Sequence, residues 1–121
     1  MARITATALA VLLTLGGAGA AGGHAFLDRA EPRVGARVRT VPGHVSLWFT
    51  ERLEPAYSSV RVVNGAGERV DKDDAGVVTG DARQLRVSVP ALGPGTYRVI
   101  WRVLSVDSHL TEGEFTFRVA P

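Results

Sequence analysis

One aspartate and one histidine near the end of the chain are spaced so that both side chains could bind one metal ion. Asp107 and His109 are separated by a single residue, so an extended chain places them on the same face about 7 Å apart. They also continue the parity of the apolar residues Trp101 and Val103. An unpartnered carboxylate in the core is costly, so the chain must leave the core here or the pair must bind something. The plainer alternative is an aspartate hydrogen-bonded to nearby backbone, with His109 in solvent.

His24 adds two donors if the chain is cut directly before it. An N-terminal histidine offers its imidazole and an α-amine with a pKa of about 7.7 to 8.0, and the two can chelate one strong Lewis acid at neutral pH. With the His109 imidazole and the Asp107 carboxylate, the set has three nitrogens and one oxygen, which suits tetragonal Cu(II). Soft ligands are missing, because the chain has no cysteine and its only methionine is Met1. These residues predict one Cu(II) ion per chain and no dedicated Cu(I) site.

The start of the chain predicts such a cut. Met1-Ala2-Arg3 is a short positive segment, residues 4–15 are apolar and uncharged, and residues 16–23 are all Gly and Ala. This is the three-part layout of a secretory signal peptide. We therefore expect residues 1–23 to be a signal peptide and residues 24–121 to be one secreted or periplasmic domain.

The cleavage point stays open, because cuts after Ala20, Ala21 or Gly23 all satisfy the small-residue requirement. A cut after Ala21 would expose Gly22-Gly23-His24, whose backbone nitrogens can wrap Cu(II) or Ni(II) without Asp107 or His109. An uncleaved anchor is a further alternative, although the apolar run is shorter than the roughly 20 residues that span a bilayer.

The elements that must position these residues are predicted to be strands. Apolar and polar residues alternate with period two in several short runs, and turn signals such as Pro42-Gly43 and Gly93-Pro94-Gly95 separate them. This pattern predicts an all-β domain, an immunoglobulin-like Greek-key barrel or sandwich of about seven strands. His44 falls on a polar position and is expected in solvent, Trp48 breaks the alternation, and residues 70–81 are expected to form a loop. The apolar positions are Val45, Leu47 and Phe49; Val60 and Val62; Leu85, Val87 and Val89; Tyr97, Val99, Trp101 and Val103; and Phe115, Phe117 and Val119.

Length and charge exclude several classes of protein. The 121 residues suffice for one small domain and are too few for two cores. The formal net charge is only +2, Lys72 is the single lysine, and the arginines are spread along the chain, so no nucleic-acid partner is expected. No catalytic motif for hydrolysis, phosphate binding or zinc chemistry is evident. The sequence does not indicate an enzyme, and we expect a monomer.

Several segments together resemble the CopC family of periplasmic copper-resistance proteins. The resemblance covers essentially all of residues 24–121, with the segments in the family's order and spacing. The segments are His24-Ala25-Phe26-Leu27, Glu31-Pro32, Val45-Ser46-Leu47-Trp48-Phe49-Thr50-Glu51, Gly95-Thr96-Tyr97-Arg98-Val99, Trp101-Arg102-Val103-Leu104-Ser105-Val106-Asp107-Ser108-His109, and Gly113-Glu114-Phe115-Thr116-Phe117.

The resemblance implies a seven-stranded Greek-key β-barrel that binds one Cu(II) through His24, His109 and Asp107. It also implies that Glu51 accepts a hydrogen bond from the coordinated amine and so orients it; an ordinary strand-end carboxylate is the alternative. Many members have Asp-Gly-His-Pro where this chain has Asp107-Ser108-His109-Leu110. Nothing in this chain replaces the methionine-rich Cu(I) loop of some members.

The function expected from the sequence is an extracytoplasmic Cu(II)-binding protein that sequesters copper or delivers it to a CopD-like inner-membrane permease, the partner that the resemblance implies. One alternative is a copper oxidase or monooxygenase, since those enzymes also use an N-terminal histidine with a second imidazole. Against it, a carboxylate ligand stabilises Cu(II) over the reduced state that oxygen activation requires. The other alternative is a metal-free immunoglobulin-like interaction module.

Overall fold

Eight strands and one short 3-10 helix (Pro55–Tyr57) form the part of the chain that a computed structural model describes, residues 24–121. The predicted signal peptide, residues 1–23, lies outside the described residues. The strands are β1 (Leu27–Glu31), β2 (Arg37–Val38), β3 (His44–Phe49), β4 (Ser59–Val63), β5 (Gly76–Val78), β6 (Asp81–Ser88), β7 (Gly95–Leu104) and β8 (Leu110–Val119).

The strands form two four-stranded sheets, one in the order β1-β3-β6-β5 and the other in the order β2-β8-β7-β4. Pairing is antiparallel throughout except between β2 and β8. Because β3 pairs with β6 and β4 with β7, the chain crosses between the sheets in the manner of an immunoglobulin-like sandwich. The all-β prediction is confirmed.

The core between the sheets contains the residues that the alternation predicted to be apolar and inward, together with Ala25, Ala30 and Leu53. All of the predicted positions except Trp101 are buried, and Trp101 is half-buried against the edge of Phe49, with ring centroids 5.1 Å apart. His44 is exposed, as predicted. Trp48, the exception to the pattern, lies half-buried under the Arg29 guanidinium, which is 3.8 Å from the ring centre. Such a cation–π contact covers an outward-facing tryptophan.

Three strands were not visible in the alternation. The prediction of a loop over residues 70–81 was wrong in part, because β5 lies inside it and pairs with β6. β2 and β5 have only two and three residues, too few to show a period. β1 is interrupted by a register shift between Leu27 and Arg29, so its side chains do not alternate cleanly. Residues 24–121 form eight strands, whereas the sequence predicted about seven.

The part of the chain that the structure describes contains no helix suited to spanning a membrane.

Candidate metal centre

The segment that begins with His24 is held between the end of β3 and the start of β8. Thr50 fixes it from one side, since its backbone N–H donates to the carbonyl of Phe26 and its hydroxyl accepts from the N–H of Phe26, both at 2.9 Å. Thr111 fixes it from the other side by donating its hydroxyl to the carbonyl of Ala25 at 2.8 Å. Ala25 itself is fully buried. This anchoring places His24 at the end of the sandwich where β7 turns into β8.

The turn from β7 to β8 carries the other two candidate ligands. Ser105 donates its backbone N–H to the carbonyl of His109 at 3.0 Å, and Ser108 donates to the carbonyl of Ser105 at 2.9 Å. Ser108 has a φ of +73°, the left-handed conformation that closes many hairpin turns. The side chains of Asp107 and His109 are 50% and 46% exposed. The chain thus leaves the core at this point, the first of the two possibilities that their parity allowed.

The structure brings His24, His109 and Asp107 together. The imidazole rings of His24 and His109 have centroids 4.5 Å apart, and Nδ1 of His109 lies 3.4 Å from Oδ1 of Asp107. Nitrogen and oxygen ligands lie about 2.0 to 2.2 Å from a divalent ion such as zinc, so two donors to one ion are at most about 4.4 Å apart. The Asp107–His109 separation fits within that limit.

The fourth donor depends on cleavage. In the full chain the backbone nitrogen of His24 is a peptide nitrogen, because Gly23 precedes it. Among residues 24–121, no group of three or more His, Cys, Asp or Glu side chains is arranged to hold a metal ion. A terminal amine on His24 would supply the donor that those side chains lack.

The pKa of Asp107 is lowered by its hydrogen bonds. The hydroxyl of Ser105 donates to Oδ1 of Asp107, and this bond is the main reason that the pKa of Asp107 lies below its ordinary value of 3.8. A hydrogen bond and charge from His109 act in the same direction, while desolvation opposes them. Asp107 is therefore anionic, and able to bind a cation, at any pH at which an imidazole of ordinary pKa is neutral.

Glu51 lies beside the site in the chain and is half-buried. Its neighbour Thr50 contacts the carbonyl of His24 through its hydroxyl at 3.4 Å. Within residues 24–121 the Glu51 side chain has no hydrogen-bond partner of its own. Its role as an acceptor for the terminal amine stays a prediction.

Exposed apolar side chains surround these residues. Phe26 is 60% exposed and stacks on the imidazole of His24 with ring centroids 6.0 Å apart. Val106 and Leu110, on either side of the Asp107–His109 pair, are both 46% exposed. A groove of about 420 Å³ lined partly by Tyr57, Leu104 and Leu110 continues from there. His44 lies at the opposite end of β3 and is not part of the site.

Three hydroxyl residues of the site were missed by sequence reasoning: Thr50, Thr111 and Ser105. The two threonines act through backbone contacts distant in sequence, which no local pattern predicts. Ser105 is the exception, because it stands two residues before Asp107 and shares the parity of Asp107 and His109. Its position could have been used as a signal.

Comparison with known proteins finds one matching family model and several similar proteins. The CopC domain family matches residues 27–120, a range that includes Glu51, Asp107 and His109 and begins after His24. "Protein YobA" of Escherichia coli K12 is 35% identical over 119 residues, covering 98% of this chain and 96% of that protein. "Copper resistance protein C" of Escherichia coli is 30% identical over 114 residues, covering 88% of this chain and 90% of that protein. The crystal structure of CopC from Methylosinus trichosporium OB3b superimposes with a TM-score of 0.71 at 37% identity, covering 81% of this chain and 95% of that one.

Proposed function

This chain belongs to the CopC family, and on that premise we propose that it is an extracytoplasmic copper-binding protein that holds one Cu(II) ion per chain. The observation that carries the proposal is the convergence of His24, His109 and Asp107, with imidazole rings 4.5 Å apart and a carboxylate oxygen 3.4 Å from His109 Nδ1. The name of the copper-resistance relative supports copper as the ion.

Each residue has a distinct role in the proposed site. After cleavage between Gly23 and His24, His24 contributes its α-amine and imidazole, His109 a second imidazole, and Asp107 a carboxylate oxygen. Three nitrogens and one oxygen suit the tetragonal preference of Cu(II), which has the highest affinity for such donors among the divalent first-row metals. Glu51 accepts a hydrogen bond from the bound amine and orients it.

The protein then acts as a carrier or store and not as an enzyme. It works as a monomer in the periplasm or an equivalent compartment, either sequestering Cu(II) or passing it to a CopD-like membrane permease. The half-exposed ligands Asp107 and His109 support a role in transfer, since a receiving protein can approach the ion without unfolding the domain.

Electron paramagnetic resonance tests the ligand set. One equivalent of Cu(II) added to protein beginning at His24 should give a tetragonal, nitrogen-rich signal, and His109→Ala should change it. His44→Ala is the matched control, because His44 is an exposed histidine at the other end of β3. A wild-type protein without that signal, or an unchanged signal in His109→Ala, would refute the site.

The requirement for His24 as the N-terminal residue is tested by the same measurement on protein that retains Gly23. The extra residue moves the amine away from His24, so we expect the signal to change and the affinity to fall. Intact-mass measurement of the exported protein shows which terminus forms in the cell. A terminus at Gly22 with a spectrum independent of Asp107 and His109 would favour the competing Gly-Gly-His site.

Thermal unfolding separates a copper protein from a metal-free interaction module. A ligand that binds only the native state stabilises it by about 2.7 kcal/mol at a free concentration of 100 Kd. We expect Cu(II) to raise the Tm of the wild-type domain. An unchanged Tm would support the interaction module, and oxygen consumption with a reductant and a polysaccharide would support the oxidase alternative.

A further inference from the structure

Ser105 contacts both proposed ligands of the β7–β8 turn. Its hydroxyl donates to Oδ1 of Asp107 and accepts from the backbone N–H of His109 at 3.2 Å. Its backbone N–H donates to the carbonyl of His109 at 3.0 Å. One side chain and one peptide group of a single residue thus tie the aspartate and the histidine together.

Ser105 belongs to the core of the domain. Ser105 is fully buried, and it forms an isolated bridge with Leu53, a buried residue in the connection between β3 and β4. Asp107 and His109, in contrast, are about half exposed. The buried serine therefore joins two half-exposed ligands to the end of the core.

We propose that Ser105 is a positioning residue for copper, which holds the Asp107 carboxylate and the His109 backbone in their binding arrangement before the ion arrives. This inference rests on the proposed function of the site. The physical reason is that a side chain already ordered in the free protein loses less conformational entropy when it binds. Partners that orient metal ligands typically contribute 10- to 100-fold in affinity.

A purely structural role for Ser105 would give a different result. Removing the hydroxyl would then lower the stability of the domain and leave the copper coordination unchanged. Ser58 offers the matched control, since it is the other buried serine in residues 24–121. Its hydroxyl bonds to the backbone N–H and carbonyl of Leu104, at 3.2 and 3.5 Å, and touches neither Asp107 nor His109.

The test compares Ser105→Ala, Ser105→Thr and Ser58→Ala in protein beginning at His24. Cu(II) affinity is measured by competition with a chelator, the ligand set by electron paramagnetic resonance, and stability by urea unfolding. We expect Ser105→Ala to lose about 10- to 100-fold in affinity and to shift the Cu(II) signal. Ser105→Thr retains the hydroxyl and should restore both, and Ser58→Ala should lose stability while keeping wild-type affinity and signal.

A double-mutant cycle with Asp107→Ala identifies the route of the effect. If Ser105 acts through the carboxylate, Ser105→Ala should change the affinity much less in the Asp107→Ala background than in the wild-type protein. An unchanged affinity and spectrum in Ser105→Ala would overturn the inference while leaving the copper site intact. Equal losses of affinity in both backgrounds would support positioning through the His109 backbone, the other group that the Ser105 hydroxyl contacts. A wild-type protein that binds no Cu(II) would overturn the proposed function itself.

A measurement without variants covers the case in which Ser105→Ala does not fold. A crystal structure of the copper-loaded wild-type protein should show the Ser105 hydroxyl within hydrogen-bond distance of the Asp107 carboxylate that binds the ion. A metal-bound Asp107 that has turned away from Ser105 would contradict the positioning role.

Discussion

The imidazole rings of His24 and His109 lie 4.5 Å apart between centroids, although the two residues stand near opposite ends of the described chain. The contact exists because the segment before β1 is tied to the start of β8 as well as to the end of β3. The proposed copper site therefore depends on the docking of residues 24–26 as much as on the turn that carries His109.

Removing the Thr111 hydroxyl should weaken this docking. Thr111→Val retains the size of the side chain but leaves the carbonyl of the fully buried Ala25 without its donor at 2.8 Å. We expect a loss of stability of about 1 to 3 kcal/mol and a several-fold faster release of Cu(II) to a chelator. Thr116→Val is the control, since Thr116 is exposed on the outer face of the same strand. Equal copper release from the two variants would contradict the docking role.

Glycine at position 108 should stabilise the turn. Ser108 has a φ of +73°, which costs a residue with a Cβ about 1 kcal/mol or more and glycine almost nothing. Ser108→Gly should raise the free energy of unfolding by about 0.5 to 1 kcal/mol and leave copper affinity near the wild-type value. Ser59→Gly, within β4, should have the opposite effect on stability. Urea unfolding checks both signs, and a destabilised Ser108→Gly would show that the serine is favoured there for another reason.

A methyl group at position 113 should disrupt the packing of Trp101. The two residues are paired across β7 and β8, and a Cβ on Gly113 would lie closer than 3.0 Å to the indole ring. Gly113→Ala should destabilise the domain by about 1 to 3 kcal/mol, as overpacking does, and should move the indole away from Phe49. Gly43→Ala, where a Cβ meets nothing within 4 Å, should be close to neutral. Thermal unfolding with tryptophan fluorescence measures both effects, and equal stability of the two variants would contradict the contact.

Asp74 should make stability depend on acidic pH. The pKa of Asp74 lies below its ordinary value of 3.8, mainly because of hydrogen bonding with the Ser88 side chain and secondly because the Ser88 backbone N–H donates to Oδ1 at 2.7 Å. A folded-state pKa below the unfolded one contributes stability above pH 3.8 that is lost as the pH falls through the lower folded value. Asp74→Asn should therefore be less stable than wild type at neutral pH, with a difference that narrows below pH 4.

The control for Asp74 is Asp28→Asn, because the Asp28 side chain has no hydrogen bond within the described range 24–121. Its stability should follow that of the wild-type protein across the pH range. A difference between Asp74→Asn and wild type that stays constant from pH 7 to pH 2 would show that the Ser88 bond does not depend on the charge of Asp74.

The alternation of apolar residues was sufficient to predict the long strands. Leu47, Val87, Val99 and Phe117 lie in four different strands and are all fully buried, because a period of two places alternate side chains on one face of a sheet. The short strands β2 and β5 could not be found in this way. Their pairing is decided by the neighbouring strand, since a segment of two or three residues has too few side chains to define a face.

The candidate ligands could also be named from the sequence, as donor atoms depend only on residue type. Whether Asp107 pointed into the core could not be decided, because parity describes a straight strand and the chain turns at Ser105–Ser108. The positive φ of Ser108 and the buried hydroxyl of Ser105 produce that turn. Both features exist only in the folded chain.

By itself, the sequence predicted an all-β domain preceded by a signal peptide, supplied a set of nitrogen and oxygen donors without soft ligands, and resembled one family. Only the tertiary structure decided that His24 meets His109, and that a serine and two threonines contact the segments that carry them. The reason is physical: a side chain's chemistry is local, whereas the distance between two side chains at opposite ends of a chain is set by every strand that packs between them.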